Sequence, residues 1–147
     1  MKPEILDDKK LISSIDKSSM YRELDNFPTT LSERVALSLP KEYSSVKNIM
    51  IGGMGGSGIC GDVIQSLFLE KADVPFEVVK DYTLPKHIGA DSLVIAISYS
   101  GNTEETLSLY DEARRRKSKI IAISNGGELE EKARKNKCPF MKVKDSR

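Results

Sequence analysis

Two cysteines, one histidine and no long apolar run exclude several kinds of chemistry from this chain. Cys60 and Cys138 are far apart and show no metal-ligand spacing, so no metal site is expected. Their scarcity suits a reducing cytosol, and a cytoplasmic location is expected. The lone His87 stands in the loop Pro85-Lys86-His87, where a histidine is ordinarily solvated, and it receives no catalytic assignment. No segment approaches the apolar length of a membrane span, so no membrane partner is expected. The start Met1–Lys10 carries Glu4, Asp7 and Asp8 with no apolar run behind it, which does not fit a signal peptide. An excess of one charge is lacking too. A net charge of +1 gives no electrostatic footprint for nucleic acid. Internal repeats and low-complexity linkers are absent. What is present is the composition of an ordinary globular chain, 147 residues with 39% hydrophobic and 31% charged, long enough for one domain with a core of its own.

The apolar pattern alternates between two periods. Leu11, Ile12 and Ile15, then Met20, Leu24 and Phe27, recur at helical spacing. Asn26-Phe27-Pro28 is expected to break that helix, because the residue before proline avoids the α region. Thr30 is expected to cap a second helix carrying Leu31, Val35 and Leu39, ended by Pro40. These N-terminal helices, residues 1–45, are expected to pack on a domain formed by residues 46–147. Five β-rich runs follow: Asn48–Gly52, Phe76–Lys80, Ser92–Ser98, Lys119–Ser124 and Pro139–Val143. The middle three are nearly continuous in apolar residues, which marks strands covered on both faces. Between the strands lie helical stripes: Ile59, Val63, Leu67 and Phe68 in a helix over Ile59–Lys71; Leu107, Tyr110 and Ala113; and Leu129 with Ala133. The run Arg114-Arg115-Arg116-Lys117 reads as a solvated helix end. Strand–helix alternation predicts an α/β fold, a three-layer, doubly wound, five-stranded parallel sheet with ligands beyond the carboxyl ends of its strands.

Two strand-to-helix junctions carry candidate chemistry. Gly52-Gly53-Met54-Gly55-Gly56-Ser57-Gly58 follows the first strand. Its glycines let the backbone approach an anion, and the N–H groups of the next helix would point at it. The stretch also satisfies G-x-G-x-x-G through Gly53, Gly55 and Gly58, with Asp81 at the end of the second strand. A nucleotide-binding, Rossmann-like reading therefore stands beside a simple phosphate site. The second junction is Ser98-Tyr99-Ser100-Gly101-Asn102-Thr103-Glu104-Glu105-Thr106. Here three hydroxyls, Ser98, Ser100 and Thr103, cluster at a helix N-terminus, an arrangement that solvates a phosphate dianion without a lysine or arginine. Ordinary capping, with Asn102 as N-cap and Glu105 as its partner, explains the acids but not Ser98 and Ser100. Cys60 sits two residues beyond the glycine loop with no neighbouring base, and is read as a packed small residue.

The paired strings Gly53-Met54-Gly55-Gly56-Ser57-Gly58 and Ser98-Tyr99-Ser100-Gly101-Asn102-Thr103-Glu104-Glu105-Thr106-Leu107 resemble the sugar isomerase (SIS) family. In particular they resemble the N-terminal half of its bifunctional phosphoglucose/phosphomannose isomerases. Lys80-Asp81-Tyr82, Leu84-Pro85 and Phe27-Pro28 fit the same likeness, which covers roughly residues 20–140. The resemblance implies a flavodoxin-like SIS domain and a hexose 6-phosphate ligand held by Gly55, Gly56, Ser57, Ser98, Ser100, Gly101 and Thr103. It implies no cofactor, and it implies a partner, either a second SIS domain or a homodimer mate. The family's proton-transfer glutamate and ring-opening histidine lie in a second domain, so the catalytic residues of this chain are unassigned.

One position departs from the family. Where a basic residue usually follows the two glycines after the fourth strand, this chain has Ser124-Asn125-Gly126-Gly127-Glu128. A carboxylate about 5 Å from an enediolate would oppose it by roughly 3 kcal/mol. Alternatively Glu128 serves the helix N-terminus with its side chain turned away. Three functions are thus open: the phosphate-binding domain of an aldose–ketose isomerase interconverting glucose 6-phosphate or mannose 6-phosphate with fructose 6-phosphate, a stand-alone sugar-phosphate module without turnover, and a nucleotide-binding domain.

Overall fold

The structure, a computed structural model, describes residues 7–32 and 36–144. The chain divides into two compact units, Met1–Ala36 and Leu37–Arg147. Among the described residues no helix is long and apolar enough to cross a membrane.

The first unit holds α1 (Lys9–Ile15) and α2 (Met20–Ser32). Asp8 caps α1 by accepting from the N–H groups of Lys10 and Leu11. Asp16 accepts from Met20 N–H and Tyr21 N–H at 2.8 and 2.7 Å, fixing the start of α2. Those two bonds hold the Asp16 carboxyl below its ordinary range. The expected break at Pro28 does not occur, because α2 runs through it. Proline removes one N–H from the ladder, but its effect on the preceding residue is a bias that surrounding helix can override. Thr30 is therefore inside α2 and is no N-cap. Its hydroxyl donates back to Asn26 O, as that of Ser32 does to Pro28 O. Leu39 and Pro40 are not helical. Glu4, Val35 and the side chain of Leu31 lie outside the described residues.

The second unit begins with a single 3-10 turn, Lys41–Ser44, whose Tyr43 hydroxyl donates to Ile120 O at 3.1 Å. Then follow β1 (Asn48–Gly52), α3 (Gly55–Phe68), β2 (Phe76–Val79), β3 (Ser92–Ile97), α4 (Glu104–Arg115), β4 (Lys119–Ser124), α5 (Gly127–Lys135) and β5 (Phe140–Lys142). All strands pair in parallel, in the order β2-β1-β3-β4-β5. The chain leaves β1 toward one edge and returns at β3 on the other side. This reversal is the switch point at which the loops after β1 and β3 diverge.

The core lies between the sheet and α4 with α5. Met50, Val94, Ala96, Ile120 and Ala122 of the strands meet Leu109, Tyr110, Ala113, Leu129 and Ala133 of those helices, all essentially excluded from solvent. The opposite face of the sheet carries α3, so the layers are helix, sheet and helices. Ile59, Val63, Leu67 and Phe68 do not pack on the sheet; they are 59%, 54%, 62% and 48% exposed. The buried residues of α3 are Gly58 and Gly61. A Cβ on Gly61 would stand 3.0 Å from Val78 and 3.1 Å from Ile51, so the helix settles on the sheet through its bare backbone. The glycine loop is also part of the helix, which starts at Gly55 rather than Ile59.

Arg116 is not solvated either. Its guanidinium donates to the carbonyls of Pro85, Ile88 and Leu84 and to Glu112 Oε1, while Glu112 Oε2 accepts from Leu84 N–H at 2.8 Å. One arginine thereby ties the β2–β3 connection to α4.

Candidate functional site

The loops after β1 and β3 meet at the switch point. Tyr99 N–H lies 3.4 Å from Ser57 Oγ, joining them directly. Between them opens a cleft of about 510 Å³. Gly56, Ser57, Ser100 and Thr103 line it on the polar side. Its apolar wall comes from the upper ends of the strands, with Ile97, Ile123 and Val143, and from Met54, Cys60 and Tyr99. The N-termini of α3 and α4 open at this cleft. Their N-caps, Met54 and Thr103, make no side-chain capping bond, so the first-turn amides of both helices are left for other acceptors.

Ser98 lies behind the cleft rather than in its lining. It is 1% exposed, its hydroxyl shares a 2.9 Å bond with Thr103 Oγ1, and its oxygen accepts from Gly101 N–H. Strand parity carries this signal. Ser92, Val94 and Ala96 of β3 all face the α4 layer, and Ser98 continues that register, whereas Ile97 faces the cleft. The same parity in β4 marks Ile123, which the sequence reading passed over. Gly55 and Gly101 are likewise not part of the lining. Gly101 instead shapes the loop, with φ +72.

The second loop is locked onto the start of α5. Asn125 N–H donates to Tyr99 O, Leu129 N–H to Gly101 O and Glu128 N–H to Asn102 Oδ1, at 2.9, 2.9 and 3.0 Å. Asn102 therefore caps α5, 26 residues away, and not its own helix. The backbones touch at two glycines with positive φ. A Cβ on Gly101 would fall 1.8 Å from Gly126 O, and one on Gly127, at φ +70, would fall 2.4 Å from Ser100 O.

The charged residues stand apart from the cleft. Glu128 pairs with Lys132 at 3.3 Å, in a surface depression with Glu131 and Lys135. That is the turned-away alternative. Glu105, beside Tyr82, pushes that phenol up. Asp81 accepts from Tyr82 N–H. His87 Nε2 is 2.7 Å from Glu77 on the surface. Lys80 crosses Gly58 to reach Asp62 at 2.5 Å, an exposed pair of small energetic value. Among the described residues, no carboxylate and no histidine lines the cleft. Both thiols are free. Cys60 is exposed at the cleft, and burial pushes the Cys138 thiol up to about 11.

This arrangement has known counterparts. The SIS domain pattern matches residues 42–140. A bifunctional phosphoglucose/phosphomannose isomerase of Caldicellulosiruptor bescii is 39% identical over 121 residues, which are 80% of this chain and 36% of that one. Its counterpart in Aquifex aeolicus is 46% identical over 107 residues, 71% of this chain and 33% of its own. The chain thus spans about a third of the length of these curated relatives. Among solved structures, the tagatose-6-phosphate ketose/aldose isomerase of Escherichia coli superposes with a TM-score of 0.56 at 18% identity, over 86% of this chain and 35% of that one. A Methanococcus jannaschii protein with an inferred 3-hexulose-6-phosphate isomerase function gives 0.54 at 24% identity, over 92% and 68%. Both share the fold. With its parallel sheet ordered 2-1-3-4-5 and its paired loops at the switch point, this chain belongs to the SIS-domain family.

Proposed function

We propose that this chain holds the phosphate of a hexose 6-phosphate between Ser57 and Ser100, as one domain of an aldose–ketose isomerase. The observation that carries this reading is the convergence of two helix N-termini and the hydroxyls of Ser57, Ser100 and Thr103 on one cleft, where no carboxylate among the described residues lines the wall to repel a dianion. Helix amides and hydroxyls hold the phosphate, and the apolar wall of Ile97 and Ile123 keeps water from the far side of the sugar. The relatives named for phosphoglucose and phosphomannose isomerisation support this substrate class. Glucose 6-phosphate, fructose 6-phosphate or mannose 6-phosphate at about 100 times the dissociation constant should stabilise the fold by about 2.7 kcal/mol, a thermal shift of roughly 5–10 °C. Free sugars should not. Ser57→Ala and Ser100→Ala should each cost roughly 1.5–3 kcal/mol of ligand binding, tenfold to beyond a hundredfold, with little change in melting temperature. Stabilisation by NAD and by no sugar phosphate sinks the proposal.

Among the described residues the cleft offers a phosphate its hydroxyls and helix amides but supplies no base. Isomerisation moves a proton between C1 and C2 and needs a carboxylate or comparable group within hydrogen-bond reach. The purified chain should therefore bind hexose phosphates and show negligible conversion of fructose 6-phosphate to glucose 6-phosphate in a coupled assay. Restoration of turnover by a separately made second SIS domain would identify that domain as the source of the base. Robust turnover by the chain alone would contradict this division of labour.

A further inference from the structure

We propose, resting on the phosphate site given above, that the cleft reads a phosphate together with a hydrocarbon surface and makes no use of the sugar's hydroxyls. Its ligand class is then the monophosphate ester of a primary alcohol, and Ile97, Ile123 and Val143 set the preference beside the phosphate. Ile97 of β3 and Ile123 of β4 are register partners. Val143 follows β5, where its N–H donates to Ser124 O. All three side chains are half-buried at the cleft. Neighbouring strands stand about 4.8 Å apart, so the three residues make a floor about 10 Å wide, which accepts the face of a six-membered ring.

The floor offers a hydroxyl nothing to bond. Its carbonyls already have donors: Ile123 O accepts from Ser98 N–H at 3.0 Å, Ile97 O from Thr106 Oγ1 at 3.4 Å and Val143 O from Asn125 Nδ2 at 3.1 Å. Met54 and Cys60, also in the lining, carry only sulfur, a weak hydrogen-bonding atom. Tyr99, 45% exposed, stands at the rim. The hydroxyls of Ser57, Ser100 and Thr103 serve the phosphate. Among the described residues no carboxylate, side-chain amide or guanidinium lines the cleft, and these are the groups that hold adjacent hydroxyls in pairs. A sugar hydroxyl set on this floor gives up water and gains no partner. Sites built to bond a hydroxyl reject the analogue lacking it by about ten-thousandfold, whereas an apolar wall has no such means of rejection. An ester without hydroxyls therefore keeps every phosphate contact and gains on the floor what the sugar loses.

Titration calorimetry of the full chain compares glucose 6-phosphate with cyclohexylmethyl phosphate, which has the same six-membered ring and phosphomethyl arm but no hydroxyls. The apolar ester should bind at least as tightly, with a more negative heat-capacity change because more apolar surface leaves water. Ile123→Thr should cost the apolar ester about tenfold in affinity and glucose 6-phosphate less, since it puts a hydroxyl into the floor. Val143→Thr, of the same shape and outside the strands, supplies this comparison if circular dichroism shows Ile123→Thr to be poorly folded. An apolar ester weaker than glucose 6-phosphate by more than about threefold overturns the proposal and leaves the phosphate site standing. So does an affinity ratio that neither replacement moves. Binding of the apolar ester without any binding of hexose 6-phosphate upholds it and overturns the hexose reading. Binding of neither ester overturns both.

Discussion

Gly101→Ala should lower the melting temperature by more than about 10 °C and abolish hexose 6-phosphate binding. Two effects add. The backbone at Gly101 has φ +72, which costs an alanine about 1–2 kcal/mol. The new methyl would also overlap Gly126 O, a backbone atom with no rotamer to adopt. Either the Ser98–Thr103 loop or the start of α5 must move, and each holds the other through Gly101 O, Asn102 Oδ1 and Tyr99 O. Gly127→Ala should behave similarly. Two other glycines separate strain from collision. Gly55→Ala has positive φ but open space, and should cost only about 1–2 kcal/mol. Gly126→Ala has an extended backbone at φ 169 and nearest atoms 3.8 Å away, and should be nearly neutral. Thermal unfolding of all four tests the ranking, and a mild Gly101→Ala would show that the loops are not interlocked.

Arg116→Leu should destabilise the chain by about 2–4 kcal/mol, because it leaves three carbonyls and a half-buried carboxylate without their donor. Arg116→Lys should fall between, since one ammonium cannot reach every acceptor of a planar guanidinium. The pH dependence follows from Glu112. Leu84 N–H, and then Arg116, hold its carboxyl below the ordinary value of 4.5. A depressed folded-state value contributes stability above the unfolded value, and that stability is lost as pH falls through the folded one. Denaturant melts should therefore show a loss below about pH 4.5 that is smaller in Glu112→Gln. Equal acid sensitivity in parent and variant would remove Glu112 from the account.

The sheet was legible because its central strands announce themselves. Apolar runs at Ser92–Ile97 and Lys119–Ser124 are covered on both faces, and such runs have few alternatives to a buried strand. The helices were legible as helices but not as to which side faces inward. Periodicity locates an apolar ridge on α3, yet the sheet took the glycine side, where backbone contact replaces side-chain burial. Gly58 and Gly61, three apart, were the available signal. The site was legible as two loops, while the division of labour among their hydroxyls was not. Ser98 and Ser100 look alike in composition, but Ser98 continues the register of β3 and goes under α4, whereas Ser100 lies in the loop beyond the strand and turns to the cleft. The role of Asn102 is not legible from its neighbours, because its partner, Glu128 N–H, lies beyond any local motif. The burial of Arg116 is not legible either, because a basic run at a helix end says nothing about a loop folding back over it.

The contact between Gly101 and Gly127 also bears on how such a chain can diverge. A side chain at either position is tolerable only after the opposite backbone has withdrawn, and withdrawal unfastens the loop that carries Ser100. No order of single replacements avoids a crippled intermediate, so the two glycines behave as one heritable character. A duplicated copy released from binding phosphate loses that constraint at both positions at once. Among descendants of this fold, the joint disappearance of both glycines would therefore date the abandonment of the ligand more reliably than the loss of any serine.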